Sequence, residues 1–158
     1  MNIAVIFAGG TGQRMNSKTK PKQFLKLHGK PILIYTVEQF QIHEQIDAII
    51  IVCIENWISY CQKLVEDFGL DKVVDIIPGG YNGQNSIFQG IQRAYSLYEK
   101  DSIVLIHDGV RPLVDEETIS KNITSVKEYG SAITTVPAIE TIVQNDDAGK
   151  IVSITERK

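Results

Sequence analysis

Cysteine is nearly missing from this chain: Cys53 and Cys61 are the two among 158 residues. Two cysteines at that spacing make neither a disulfide framework nor a zinc site. The fold must therefore rest on an apolar core, and a reducing cytoplasm is the expected compartment. Strong net charge is missing too. A formal balance of −3 argues against a general nucleic-acid binder. No apolar run approaches the roughly 20 residues of a membrane-spanning helix. Met1-Asn2 leads straight into a strand pattern, without the basic stretch that opens a secretory signal. Neither nucleic acid nor membrane is an expected partner, and no repeat or low-complexity linker divides the chain.

What is present is ordinary in amount and uneven in placement. A hydrophobic share of 43% with 22% charged residues suits a globular domain with a sizeable core. Five of the twelve lysines are Lys18, Lys20, Lys22, Lys26 and Lys30. Such a cluster either draws an anionic ligand or forms a solvated loop, and for most of the five the second reading is favoured.

Strand-like and helix-like segments alternate. Short β-rich runs cover Asn2–Ala8, Ala48–Ile54, Lys72–Ile77, Ser102–Asp108 and Ser131–Ala138. Helical spacing covers Ile32–His43, Trp57–Phe68, Asn85–Tyr98 and Asp115–Tyr129. The run "AIIIVCI" is continuously apolar, as a strand buried on both faces must be. This alternation predicts an α/β fold, a mainly parallel sheet with helices on both faces. Trp57 and Tyr60 lie at helical spacing and read as core. "ETIVQNDDAGKIVSITERK" reads as a hairpin turning at Asn145 to Gly149.

Ligands of such sheets bind outside the carboxyl ends of the strands. That rule selects the loops Ala8–Lys22, Glu55–Asn56, Pro78–Ser86 and His107–Pro112. The first reads "AGGTGQRMNSKTKPK", with Gly9, Gly10 and Gly12 followed by Arg14 and Lys22. Glycine lets backbone approach a ligand closely, and exposed N–H groups suit phosphate or a base edge. A dinucleotide fingerprint fails because position 15 is Met and no acid follows at the required distance. A P-loop fails for want of Gly-Lys-Ser/Thr. A planar guanidinium and a point-charge ammonium aimed at one loop suit a polyphosphate. The second loop, "PGGYNGQNS", again exposes backbone at Gly79 and Gly80, and Asn85 or Ser86 is the expected helix cap. In the third, "HDGVRP", Asp108 ends a strand. A single carboxylate there suits Mg²⁺ shared with substrate phosphates. Arg111 either pairs with acids of the site or holds Asp108, and His107 reads as structural.

Together, "AGGTGQRM", "PKQFL", "GG…NS" and "HDGVRP" resemble the cytidylyltransferases that act on alditol phosphates, in order and spacing, over essentially the whole chain. The resemblance implies a nucleotide-diphospho-sugar transferase fold and transfer of CMP from CTP, with Mg²⁺, to an alditol phosphate. It implies that Ala8, Gly9, Gly10, Thr11 and Gly12 wrap the cytosine and phosphates, and that Gly80 and Ser86 contact the cytidine. Arg14 and Lys22 would hold the triphosphate and stabilise the transition state, and Asp108 would bind the metal. Arg111 and Thr141 would lie near the acceptor. Arg157, in "SITERK", would reach the acceptor phosphate, often from the partner of a homodimer. "AGG" and "GVRP" lean toward the ribitol 5-phosphate branch. The 2-C-methyl-D-erythritol 4-phosphate branch, of isoprenoid precursor synthesis, is the alternative, and a non-catalytic nucleotide-binding module is a third reading. The chain departs from the family at Tyr81-Asn82-Gly83, where an acidic or polar residue and an arginine are usual. Residues 1–158 are also expected to lack the family's C-terminal third, which carries the dimerisation arm, a second catalytic lysine and part of the acceptor site.

Overall fold

The computed structural model describes residues 1–10, 20–137 and 139–154. In chain order the elements are β1 (Asn2–Ala8), β2 (Lys26–Leu27), β3 (Lys30–Pro31), α1 (Ile32–Ile42), β4 (Ala48–Cys53), α2 (Ile58–Asp67), β5 (Val73–Pro78), α3 (Gly83–Leu97), β6 (Ile103–Asp108), α4 (Glu116–Tyr129), β7 (Val143–Asn145) and β8 (Ile151–Ile154). A four-stranded sheet in the order β5-β4-β1-β6 is the centre, and each of its pairings is parallel. The chain steps outward from β1 through β4 to β5, then returns to the other side of β1. That reversal makes the carboxyl end of β1 a topological switch point, where such sheets bind ligands.

Side-chain alternation along the strands builds two cores. Ala4, Ile6, Ala8, Ile49, Ile51 and Cys53 face one way, packing with Leu33, Val37 and Phe40 of α1, Leu64 of α2 and Ile119 and Ile123 of α4. Ile3, Val5, Ile50 and Val52 face the other way, toward Ala94 of α3. All six residues of β4 are buried, so the apolar run has cover on both faces. Full burial of each isoleucine in it contributes on the order of 1.5–3 kcal/mol. Gly90 allows α3 to lie close to the sheet. A Cβ there would stand 2.9 Å from Val52 Cγ2 and closer still to Val5 Cγ1.

Three local readings of the sequence are corrected. Within the run predicted as a strand from Ser131 to Ala138, residues 131–137 form none, and Ala138 lies outside the described residues. Strand propensity is mostly fit to a half-buried pleated surface, and here Ile133 and Val136 are 87% and 85% exposed. The lysine-rich stretch is not all loop. Lys26–Pro31 is a two-stranded hairpin whose turn residues His28 and Gly29 both have positive φ, at 48° and 84°. The cap of α3 is neither Asn85 nor Ser86 but Asn82, whose side chain accepts from the Asn85 amide at 2.7 Å. The C-terminal hairpin forms as expected, β7 pairing with β8 in a separate two-stranded sheet.

Candidate active site

The four parallel strands end level. Ile77, Val52, Phe7 and Asp108 are register partners in one row across the sheet, so the loops that follow leave from one edge. Three of those loops converge on Ala8 and Gly9. The β4 carbonyl of Cys53 accepts from the Gly79 amide at 2.7 Å, which holds the second glycine loop beside β4. Ser86, buried in the first turn of α3, then ties that loop together. Its Oγ accepts from the Gly80 amide at 3.0 Å and donates to the Asn82 carbonyl at 2.9 Å. A Cβ on Gly9 would lie 3.2 Å from that hydroxyl, and one on Gly79 3.0 Å from it. The two glycine loops thus meet at Ser86 with no room for a side chain between them.

The third loop closes from the other side. Gly109 donates its amide to the Phe7 carbonyl at 3.0 Å, and Thr36 Oγ1 donates to the Gly109 carbonyl at 3.1 Å. A Cβ on Gly109 would meet Ala8 Cβ at 3.1 Å and Leu33 Cδ1 at 2.9 Å. Asp108 stands immediately before it, with Oδ1 accepting from the Val110 amide at 3.2 Å. Arg111 Nε is 3.6 Å from Asp108 Oδ2, while its own side chain is 76% exposed. The guanidinium therefore holds the carboxylate loosely and has donors to spare. His107 packs its ring on Phe40, 5.1 Å between centroids. Burial lowers its pKa against the opposing pull of Asp108, which keeps the imidazole neutral and structural.

Lys22 opens a short 3-10 turn, Lys22–Phe24. The next two residues are buried: Gln23 Nε2 donates to the Ala8 carbonyl at 2.5 Å, and Phe24 stacks on Trp57 at 4.9 Å. Trp57 and Tyr60 are half-buried rather than deep core, and Lys20 Nζ lies 4.5 Å from the Tyr60 ring centroid. Lys30, by contrast, is occupied by Glu38 at 2.7 Å. The lysine cluster is thus not a single patch.

Of the residues singled out from sequence, Ala8, Gly9, Gly10, Gly80, Asp108 and Arg111 lie at or just beyond the carboxyl ends of the strands, Ser86 caps the same edge from the first turn of α3, and Lys22 adjoins it through Gln23. Thr141 does not. It is exposed in the segment before the C-terminal hairpin. Thr11, Gly12, Arg14 and Arg157 lie outside the described residues. A cavity of about 1090 Å³ adjoins this edge on the β6 side, lined in part by Asp108, Arg111, Phe40 and Ile119.

Residues 2–158 match the family described as IspD, 2-C-methyl-D-erythritol 4-phosphate cytidylyltransferase. The chain belongs to this family. Among IspD-family relatives it is 55% identical, over 157 residues, to a ribitol-5-phosphate cytidylyltransferase of Streptococcus agalactiae serotype Ia. That match covers 99% of this chain and 66% of the relative. It is 37% identical over 158 residues to a 2-C-methyl-D-erythritol 4-phosphate cytidylyltransferase of Clostridium botulinum, covering 99% of this chain and 67% of that one. The crystal structure of 4-diphosphocytidyl-2C-methyl-D-erythritol synthase from Anaerococcus prevotii superposes with a TM-score of 0.81 at 24% identity, over 99% of this chain and 65% of that one. The fold is therefore that of the IspD cytidylyltransferases, the nucleotide-diphospho-sugar transferase type. The chain spans a little under two thirds of the length of the first of these relatives.

Sequence reasoning passed over Gln23 at this IspD-type site. It is a polar residue followed directly by Phe24-Leu25, and an amide entering an apolar stretch was the available signal.

Proposed function

We propose that this chain is the nucleotide-binding and catalytic part of a CTP:alditol-phosphate cytidylyltransferase, with ribitol 5-phosphate as acceptor. The observation that carries the reading is the meeting of Gly9, Gly79 and Gly80 at the Ser86 hydroxyl, on the sheet edge where Asp108 ends β6 and where Gln23, next to Lys22, bonds to the Ala8 carbonyl, in an IspD-family chain. Bare backbone there suits a pyrimidine edge and phosphate oxygens. The higher identity to the relative named for ribitol 5-phosphate favours that acceptor over methylerythritol phosphate.

In this reading an oxygen of the acceptor's phosphate attacks the α-phosphorus of CTP. The bond from that phosphorus to the bridging oxygen breaks, and pyrophosphate leaves with its electron pair, giving the CDP-alditol. The acceptor phosphate has a second pKa of about 6 and is ionised at neutral pH, so no strong general base is needed. The difficulty is bringing a dianion onto a triphosphate. Lys22 and Arg14 offset that repulsion and stabilise the developing pyrophosphate, which makes catalysis positioning plus electrostatics.

Asp108 fits a Mg²⁺ site of the shared kind. Its carboxylate is a hard oxygen donor, partly exposed and only loosely held by Arg111. Among the described residues no group of three or more His, Cys, Asp or Glu stands ready as an all-protein cage. When bound, the ion supplies positive charge to the triphosphate oxygens. Arg111 has spare donors for a phosphate.

We extend the reading to a homodimer in the cytoplasm. Ile142, Val143, Ile151, Val152 and Ile154 are all exposed along the C-terminal hairpin, an apolar surface suited to a second subunit. Cys53 and Cys61 are buried free thiols, and among the described residues no helix is long and apolar enough to cross a membrane.

The test is pyrophosphate release with CTP and Mg²⁺ across a panel of ribitol 5-phosphate and 2-C-methyl-D-erythritol 4-phosphate. Turnover with the first supports the proposal, and turnover with the second alone moves the acceptor to the other branch. CTP binding without turnover on either leaves a nucleotide-binding module.

A further inference from the structure

We propose that Gln23 is a positioning residue, fixing the place of Lys22 against the end of β1 with the help of an aromatic clamp made by Trp57 and Tyr60. The inference rests on the reading of Lys22 as the group that meets the triphosphate.

Lys22 is half-buried, and its neighbours are pinned at separate points. On one side, Gln23 is 1% exposed and donates through Nε2 to the Ala8 carbonyl at 2.5 Å. That carbonyl ends β1, immediately before Gly9. Phe24 is fully buried, stacked on Trp57 at 4.9 Å with planes 17° apart and edge-on to Tyr60 at 5.4 Å. On the other side, Lys20 Nζ donates to the Tyr60 hydroxyl at 3.0 Å while lying over the Tyr60 ring. The turn between is closed by the Leu25 amide donating to the Lys22 carbonyl at 3.1 Å. Lys22 is therefore suspended between the end of β1 and the start of α2. A shift of either anchor moves its ammonium relative to the glycine loop.

The chemistry of Gln23 separates this role from packing. Among the described residues its buried Oε1 has no hydrogen-bond partner. A buried polar atom left unsatisfied is costly. Leucine or methionine would fill the same space and bury no such atom. What the amide adds is its bond to the Ala8 carbonyl, and that bond joins the lysine turn to the glycine loop.

The test uses the full-length protein carrying Gln23→Met or Gln23→Glu. Gln23→Met keeps the shape and removes the donor. The expected result is a folded protein whose kcat with CTP and ribitol 5-phosphate falls by about 10²-fold, as a misplacement near 1 Å does, while the calorimetric Kd for CTP changes little. An unchanged kcat, or kcat and affinity falling in step, overturns the proposal. Gln23→Glu adds a pH signature. Ionised, the carboxylate repels the Ala8 carbonyl; protonated, it donates to it, and burial favours the protonated form. Its rate relative to the unsubstituted protein should rise as pH falls, and a flat ratio overturns the proposal. Tyr60→Phe, which keeps the ring and loses only the hydroxyl that holds Lys20, should give a smaller loss of kcat and serves if either Gln23 variant fails to fold.

A readout free of turnover keeps the two hypotheses apart. Acetylation of Lys22 is followed by mass spectrometry with and without CTP and Mg²⁺. CTP should shield Lys22 in the unsubstituted protein and shield it much less in Gln23→Met, though the nucleotide still binds. Equal shielding in both refutes the positioning role. Failure of the unsubstituted protein to release pyrophosphate instead refutes the proposed reaction and leaves the shielding comparison intact.

Discussion

The Gly80 amide donates to the Ser86 hydroxyl at 3.0 Å, so one buried side chain closes the second glycine loop at the point where the first comes nearest. Ser86→Ala removes the acceptor and leaves the amide without it. Stability should fall by about 0.5–1.5 kcal/mol, the net worth of one hydrogen bond at a partly buried amide. CTP affinity should fall with it because the loop is no longer held. Ser86→Thr keeps the hydroxyl but adds a methyl group where Gly9 and Gly79 leave no space. Chemical denaturation and calorimetry on both variants check this, with both expected to be impaired.

Gly90 offers a separate check on packing. Gly90→Ala drives a methyl group into Val5 and Val52. Overpacking of this kind costs about 1–3 kcal/mol. Val5→Ala alone leaves a gap and destabilises. The double variant should recover part of the loss, because the new methyl enters the space the valine vacates. A double-mutant cycle by urea denaturation reads the coupling, and strict additivity would count against the close approach of α3.

Lys22 and Arg14 are expected to act on charge that develops during transfer. Lys22→Ala should lower kcat by about 10²–10³, as loss of one electrostatic donor does, with a much smaller effect on CTP binding. Arg14→Lys should also be poorly tolerated, since a point charge does not replace a planar fork. Steady-state kinetics beside calorimetric Kd values provide the comparison, and near-normal turnover returns either residue to the class of solvated loop charges.

Nucleotide choice follows from the closeness of the glycine loops. Gly9 and Gly79 approach Ser86 too closely to admit a side chain, so it is backbone that borders the site there. CTP should bind more tightly than ATP or GTP in calorimetric titrations. Equal affinity for the three would mean that the phosphates alone are recognised.

The cap of α4 gives a pH prediction. Thr118 lowers the pKa of Asp115 below the ordinary 3.8, first through its side-chain hydroxyl and then through its amide, from which Asp115 accepts at 2.8 Å. A carboxyl whose folded pKa is depressed adds stability above its unfolded pKa and loses it as pH falls through the folded value. Asp115→Asn retains an acceptor that does not titrate. The melting temperatures of the two proteins should therefore converge as pH drops below about 4, the native protein losing an advantage it holds at neutrality.

The sheet was legible because its strands declare themselves locally. "AIIIVC" has no polar residue to place on an outer face, so a doubly covered strand was the natural reading, and the loops after each strand followed. Ser131–Pro137 misled for the complementary reason. Its β-branched residues have strand propensity, but propensity without a neighbouring strand forms no ladder. The meeting of Gly9 with Ser86 was not legible in geometry, because it depends on the crossover that returns the chain to the far side of β1. The site residues were nominated there by motif resemblance. Gln23 was flagged only weakly, by an amide entering an apolar stretch, for a related reason. Its meaning lies in a carbonyl on another element, and nothing in "KQF" announces the partner.

Among the described residues β6 is an outer strand of the four-stranded sheet, with Ile106 45% exposed. Unpaired strand edges template further pairing between molecules. The consequence is colloidal: for a polypeptide of residues 1–158 by itself, the outer edges of β6 and β5 are where aggregation should begin. Replacing Ile106 with lysine should raise the solubility limit while leaving the glycine loops untouched, since blunting an edge with charge is how such sheets are kept apart in solution.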